Sequence, residues 1–242
     1  MDLRDKAIQQ LKRQLRRIEH GSESDRRQSG FISTGIAALD ELLPERGVRR
    51  GTIVEWLSTG EGSGCGTFLF MVAAQLTRRG GTLVVVDPHR EFYPPAAAGL
   101  GIDLERTVVV RPSNALDTIW TLEQSLRCPS VAATACCVDS LNDRVFRRLQ
   151  LAAEVGKGIG FLMRSAKFRS QPSWAEMRLL VQPLPLVAAS PSHARRMRIE
   201  LLHCRSRTSG GAIDLEISDE TGLVRLVAKV AGAKNPSRAA GA

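Results

Sequence analysis

Gly51-Thr-Ile-Val-Glu55-Trp-Leu-Ser-Thr-Gly60-Glu-Gly-Ser-Gly-Cys65-Gly-Thr67 reads as a β-strand, a glycine-rich turn and the entry to a helix predicted over Phe68–Arg79. A phosphate loop of the form G-x-x-x-x-G-K-[ST] requires that context. The residues that give such a loop its chemistry are missing. If Gly60 is the first glycine, Gly66 stands at the lysine position; if Gly64 is the second, Cys65 stands there and Gly66 replaces the Mg²⁺-binding hydroxyl. Neither register supplies a cation, and the nearest lysines in sequence are Lys12 and Lys157. What remains across Gly60, Gly62, Ser63, Gly64, Cys65, Gly66 and Thr67 is backbone N–H at a helix N-terminus, a weak anion site without the charge that phosphoryl transfer needs. The expectation is no catalytic residue, no required cofactor, and at most weak binding of ATP with Mg²⁺.

Outward from this loop, strands and helices alternate. Strands are predicted at Thr52–Leu57, Thr82–Asp87, Val108–Arg111, Ala132–Asp139 and Gly160–Arg164. Helices are predicted at Pro94–Leu100, Ala115–Leu126 and Asn142–Val155, beside the one that leaves the loop. This alternation predicts an α/β fold, a mostly parallel doubly wound sheet with crossover helices. After Pro172 the pattern changes to a turn of helix near Trp174–Met177, then Arg178–Leu184, Arg196–Cys204, Ala212–Ile217 and Leu223–Val227, with hairpin turns at Gly210-Gly211 and Asp219–Gly222. Ahead of the core, Ala7, Ile8, Leu11, Leu15 and Ile18 recur at helical spacing with Lys12, Arg13, Arg16 and Arg17 between them, predicting an amphipathic helix over Asp2–His20. The domain plan is an N-terminal basic helix and linker over 1–30, a core with C-terminal hairpins over 31–229, and a Gly-, Ala-, Pro- and Arg-rich tail over 230–242 expected to be disordered.

The 242 residues include 34 Lys and Arg against 25 Asp and Glu, a formal charge of +9 that favours an anionic partner or a solvated arginine-rich surface. Aromatic content of 5% argues against a base-stacking platform of the single-strand-binding kind. The cysteines, Cys65, Cys128, Cys136, Cys137 and Cys204, are odd in number and lack C-x-x-C spacing, and Cys136-Cys137 sit in an apolar strand-like run. That pattern suits reduced thiols in a cytoplasmic protein. With His20, His89, His193 and His203 scattered, no metal site is expected. No apolar stretch reaches transmembrane length, so no membrane partner is expected.

Two further positions test whether nucleotide chemistry survives. Ala135-Cys-Cys-Val-Asp139 has the form of an apolar strand ending in an acid, which would hold Mg²⁺ through water. Without a hydroxyl or lysine opposite, the reading of Asp139 as a cap for the following helix is favoured. Asp87-Pro-His-Arg-Glu91 ends the second core strand, where a doubly wound fold presents ligand-facing groups. A water-activating acid is expected there; His89 stands in its place, and Glu91 serves only if the loop bends.

Ser33-Thr-Gly35, Leu39-Asp40, Gly47–Glu55, the glycine loop, Val86-Asp87, Leu100–Asp103 and Val138-Asp139-Ser140 together resemble the core of RecA recombinases over roughly Ser33–Gln182. The resemblance implies a RecA-like P-loop fold. Against that family's pattern the Walker A lysine and threonine appear as Cys65 and Gly66, the catalytic glutamate as His89 and the γ-phosphate-sensing glutamine as Arg164. Only Ser165–Ser173 lies where the family has its long DNA-binding loop. Val110-Arg-Pro112, Ile119–Leu126, Arg148–Glu154, Gly160–Leu162 and Leu201–Arg205 are similar to the ImuA family in particular. That resemblance implies an accessory role in SOS-induced translesion DNA synthesis and mutagenesis, joining an ImuB-like Y-family protein and a DnaE-type error-prone polymerase, with RecA and DNA as further candidate partners. Many members of that family lack a full ATPase site. The competing readings are an ATP-dependent DNA-binding recombinase or recombination regulator, and a cell-division inhibitor of the SulA type.

The cations expected to meet nucleic acid or a partner are Arg13, Arg16 and Arg17 on the first helix, Arg144, Arg147 and Arg148 after the Asp139 strand, and Arg164, Lys167 and Arg169 in the next loop. Arg195, Arg196, Arg198, Arg205 and Arg207 form a further group around the late hairpin. Trp120, with Leu122 and Leu126, is expected in the core, whereas Trp174 is either a partner anchor or a cap over the core.

Overall fold

The computed structural model describes residues 30–78, 80–138, 140–186, 194–205, 210–218 and 224–226. A two-stranded ribbon of β1 (Phe31–Ile32) and β2 (Val48–Arg49) encloses a short helix α1 (Ala37–Leu42). Then follow β3 (Thr52–Ser58), α2 (Cys65–Thr77), β4 (Thr82–Val86), α3 (Pro94–Gly99), β5 (Thr107–Val110), α4 (Ala115–Arg127), β6 (Val131–Cys137), α5 (Asp143–Gly156) and β7 (Ile159–Ser165). The chain closes with β8 (Met177–Leu184), β9 (Ala194–Cys204), β10 (Ala212–Ser218) and β11 (Val224–Leu226).

Nine strands form one sheet in the order β11-β10-β9-β8-β3-β7-β6-β4-β5. From β5 to β8 every neighbouring pair is parallel; β9, β10 and β11 continue the same sheet antiparallel. The late hairpins are thus an extension of the main sheet. Alternate residues of the central strands face opposite cores, as the two-residue period of a strand demands. Val54, Trp56, Val85, Ala135 and Phe161 face α2 with Phe68, Leu69 and Val72. Ile53, Val84, Val86 and Leu162 face α4 and α5 with Leu122, Leu126, Phe146 and Leu149. Helices therefore cover both faces of the parallel part, and the strand C-termini share one edge where the functional loops gather.

Most predicted elements form within two residues of their expected ends; the exceptions each have a physical reason. No helical turn forms at Trp174–Met177: the Glu176 N–H bonds the Ile53 carbonyl at 2.9 Å and the chain runs extended into β8. The ribbon and α1 were not anticipated, being too short to show periodicity. Trp120 is 63% exposed, because Thr118, Thr121, Leu122 and Leu126 supply the buried face of α4. The cap of α5 is Asn142, whose side chain accepts from the Val145 N–H at 2.8 Å. The cap role assigned to Asp139 therefore passes to Asn142, and Asp139 itself lies outside the described residues. The Asp2–His20 helix with Arg13, Arg16 and Arg17, and the 230–242 tail, also lie outside them.

The approach of α5 to the end of α4 is close enough to test. A Cβ built on Gly156 would stand 2.1 Å from the Leu126 carbonyl oxygen, whereas one on Gly99 meets nothing within 4 Å. Helix propensity alone would make alanine better than glycine by about 1 kcal/mol at either place. Thermal unfolding should show Gly156→Ala destabilised by about 1–3 kcal/mol through overpacking, with Gly99→Ala neutral or more stable. A stabilised Gly156→Ala would refute the described helix contact.

Candidate functional site: a closed phosphate loop and a buried ionic group

Helix α2 begins at Cys65, with Gly64 as its N-cap in the left-handed region at φ 78°. This selects the register in which Gly64 is the second glycine and Cys65 occupies the lysine position. The loop is bonded to itself. Ser58 Oγ donates to the Gly60 carbonyl at 2.8 Å and accepts from the Gly60 N–H at 3.2 Å; it also lies 2.8 Å from Ser63 Oγ. Ser63 Oγ accepts from the Cys65 N–H at 3.3 Å, and the Ser63 N–H reaches the Gly60 carbonyl at 3.3 Å. The Gly60, Ser63 and Cys65 N–H groups are thus spent on the loop's own oxygens. Met197 of β9 packs against the loop: a Cβ added at Gly64 would lie 1.9 Å from its sulfur. Thr59, Gly60, Glu61 and Gly62 form the exposed crest, where Glu61 places a carboxylate. A loop with no cation at Cys65, no hydroxyl at Gly66 and three of its N–H groups bonded within itself is a poor fit for an ATP–Mg²⁺ complex.

Cys65 is buried at 2% exposure, and desolvation, reinforced by Cys137, pushes its thiol well above the usual cysteine range. The same causes act on Cys136, with Asp87 adding a smaller push. A cleft of about 220 Å³ beside the loop is lined by residues including Gly66, Phe70, Asp87, His89, Glu91, Cys136 and Met163. Asp87 is held by Arg111 at 3.3 Å and accepts from the Glu91 N–H at 2.8 Å, so this turn folds back on Asp87. His89 and Glu91 are exposed. Among the described residues no group of three or more His, Cys, Asp or Glu could hold a metal ion.

The centre of the polar interior lies elsewhere. Glu55, in the middle of β3, is fully buried. One of its oxygens accepts from Arg164 Nη1; the other accepts from Arg178 Nε at 2.6 Å and Ser173 Oγ at 2.9 Å. Arg178 is the cross-strand partner of Glu55 on β8, and Arg164 sits on β7, opposite Leu57. Arg178 also donates to the carbonyls of Phe168, Arg169 and Gln171 at 2.9–3.0 Å. Arg164 donates to the Gln171 side chain at 3.2 Å and stacks on Phe168 at 4.7 Å. Arg164 was expected on the surface with Lys167 and Arg169; it is instead 2% exposed, because Glu55 needs a cation in the same interior. Glu55 and Arg178 were missed, although a charge inside an apolar strand, as in Ile53-Val-Glu-Trp-Leu57 and Met177-Arg-Leu-Leu-Val181, was a readable sign.

The remaining cations divide. Arg148 and Arg127 share Glu123, the latter at 2.9 Å. Arg144, Lys167 and Arg169 are exposed. Trp174 is a cap: its indole N–H donates to Asp143 Oδ1 at 2.6 Å, and Arg147 and Arg205 lie over its ring at 4.6 and 5.3 Å.

The family model of the RecA N-terminal domain matches residues 4–162, and the chain belongs to that family. It is 30% identical to Protein RecA of Rhodopirellula baltica over 125 residues, 52% of this chain and 32% of that protein. A chloroplastic DNA repair protein recA homolog 1 of Arabidopsis thaliana is 31% identical over 125 residues, 52% of this chain and 27% of that one. Protein ImuA of Caulobacter vibrioides is 27% identical over 202 residues, covering 75% of this chain and 82% of ImuA. The chain thus spans about a third of the length of these RecA proteins and matches ImuA over most of both. Among the described residues no helix is long and apolar enough to cross a membrane.

Two outcomes follow from the geometry. Alkylation of native protein at neutral pH should label exposed Cys128 and leave Cys65 and Cys136 unmodified until unfolding; early labelling of Cys65 would show an open loop. Restoring the motif with Cys65→Lys and Gly66→Thr should not produce saturable Mg²⁺-ATP binding by calorimetry, since Ser58, Ser63 and Met197 still close the loop. Tight binding by that variant would show that only the lysine and the threonine hydroxyl were lacking and that the loop can open.

Proposed function

We propose that this RecA-related chain is a non-catalytic accessory protein of SOS-induced, error-prone translesion DNA synthesis, acting in the cytoplasm. Its partners in this reading are an ImuB-like Y-family protein and a DnaE-type polymerase. The observation that carries it is an intact RecA-type sheet whose phosphate loop is closed on its own hydroxyls and carries cysteine and glycine where lysine and threonine would act. A fold without a charge at the transferred phosphoryl group has little with which to stabilise that transition state. What the fold offers is surface, and the match to ImuA over most of both chains favours assembly with the partners of that family.

The test is reconstitution with the ImuB-like and DnaE-type proteins of the same genome, followed by size exclusion with and without Mg²⁺-ATP. A stable complex, unchanged by nucleotide and by Asp139→Ala, is expected. Failure to bind either protein, or selective binding to a tubulin-like division protein as in the SulA-type reading, would refute the proposal.

A further inference from the structure

Helix α2 leaves an opening where the phosphate-loop pattern would place a hydroxyl. A Cβ built on Gly66 meets only the Met163 sulfur, at 4.0 Å, and Gly66 borders the cleft of about 220 Å³ between α2 and the C-terminal ends of β4, β6 and β7. None of the described lining residues comes from the edge strand β5. The walls are carbon and sulfur: Leu69 and Phe70 of α2, Phe92 after β4, Cys136 and Cys137 of β6, and Met163 of β7. Burial pushes the Cys136 thiol up, so that wall is uncharged at neutral pH. Phe70, Cys137 and Met163 are only half-buried, which leaves apolar surface at the opening.

Shape and charge narrow the occupant. Cofactor-sized ligands use pockets of about 300–1,000 Å³, whereas a cavity of about 150 Å³ takes one benzene ring; this cleft has room for one ring system and little more. The rings of Phe70 and Phe92 stand 5.4 Å apart and tilted by 51°. A third ring beside them gains the tilted contacts that aromatic groups prefer, and the Met163 thioether adds a sulfur contact, so an aromatic group is favoured over an aliphatic one. At the rim, Asp87 and Glu91 place two carboxylates against one guanidinium, that of Arg111, 3.3 Å from Asp87. Arg90 is not part of the lining. A cation beside the ring is therefore favoured and an anion disfavoured. A half-open apolar pocket for one ring, with a polar rim, has the anatomy of a site for an interface anchor residue.

We infer that this cleft is a recognition pocket for one aromatic side chain of a partner protein, flanked in that partner by lysine or arginine. The glycine that removes the Mg²⁺-binding hydroxyl is also what opens the pocket. The inference rests on the accessory reading for the identity of the partner, and not for the chemistry of the pocket.

The test uses the full chain with ¹³C-labelled methionine methyl groups, the Met163 signal being assigned with Met163→Leu. The probes are acetyl-Lys-Phe-Lys-amide, acetyl-Lys-Ala-Lys-amide, acetyl-Glu-Phe-Glu-amide and free phenethylamine. The Lys-Phe-Lys peptide should move the Met163 signal saturably and bind roughly tenfold or more tighter than either other peptide. Gly66→Leu fills the cleft with a better helix former; it should melt no lower than wild type, yet weaken the Lys-Phe-Lys peptide roughly tenfold or more. Glu91→Gln should narrow the preference over the Glu-Phe-Glu peptide. In the complex with the ImuB-like and DnaE-type proteins, Gly66→Leu should raise Kd roughly tenfold. A Met163 signal that ignores the Lys-Phe-Lys peptide, an equal response to Lys-Ala-Lys, or a response to phenethylamine alone would overturn the inference. A complex that Gly66→Leu leaves unchanged would overturn it too, with the accessory reading intact. Should neither protein bind, while the Lys-Phe-Lys peptide seats in wild type and not in Gly66→Leu, the accessory reading fails and the pocket stands.

Discussion

A carboxylate in the middle of a buried strand has to be matched by cations in the same interior, and at Glu55 the match comes from Arg164 and Arg178 on the strands at either side. Removing one partner of such a group leaves an uncompensated charge at a cost of about 3–5 kcal/mol, so the three residues act as a unit. Two guanidiniums meet one carboxylate, and the surplus is spread over the carbonyls of Phe168, Arg169 and Gln171. Those carbonyls belong to the loop after β7, so neutralising the core and shaping the surface are one event. The same strand, three residues later, enters the phosphate loop. Glu55 thus sits between the place where a RecA-like fold would hold nucleotide and the place where it would present a loop to a partner.

On the phosphate side, closure is made from small parts. Two serines satisfy loop donors, a cysteine packs inward where a lysine would reach out, and Met197 fills the space that Gly64 leaves open. The methionine belongs to the antiparallel extension of the sheet, so the C-terminal hairpins help to shut the loop as well as to lengthen the sheet. On the partner side, the position that the RecA resemblance would give to a γ-phosphate-sensing glutamine is an arginine committed to the core. Both changes act in one direction, away from coupling between nucleotide and loop.

Much of this was legible in the sequence because it follows from local pattern. The alternation of strands and helices and the apolar run ending at Asp139 point to the parallel core, whereas the glycine turn without lysine leaves two registers, between which only the start of α2 at Cys65 decides. What could not be read depends on pairing between distant strands. Arg164 looked like a loop cation because its neighbours Lys167 and Arg169 are, and only the register of β3 with β7 and β8 shows that it faces Glu55. Trp120 looked like core by type, yet its position on α4 turns it outward. Met197 has no local feature that would assign it to the glycine loop. In each case a three-dimensional neighbour, absent from the local sequence, decides the role.

The central claim, that the fold is kept while phosphate chemistry is given up, is tested most directly by titrating purified wild-type protein with Mg²⁺-ATP in a calorimeter and following phosphate release, with and without DNA. The account predicts no saturable heat and no turnover above the rate of the buffer. Saturable binding with hydrolysis that disappears on Asp139→Ala would contradict it, and would make the chain an ATPase whose missing cation comes from outside the loop.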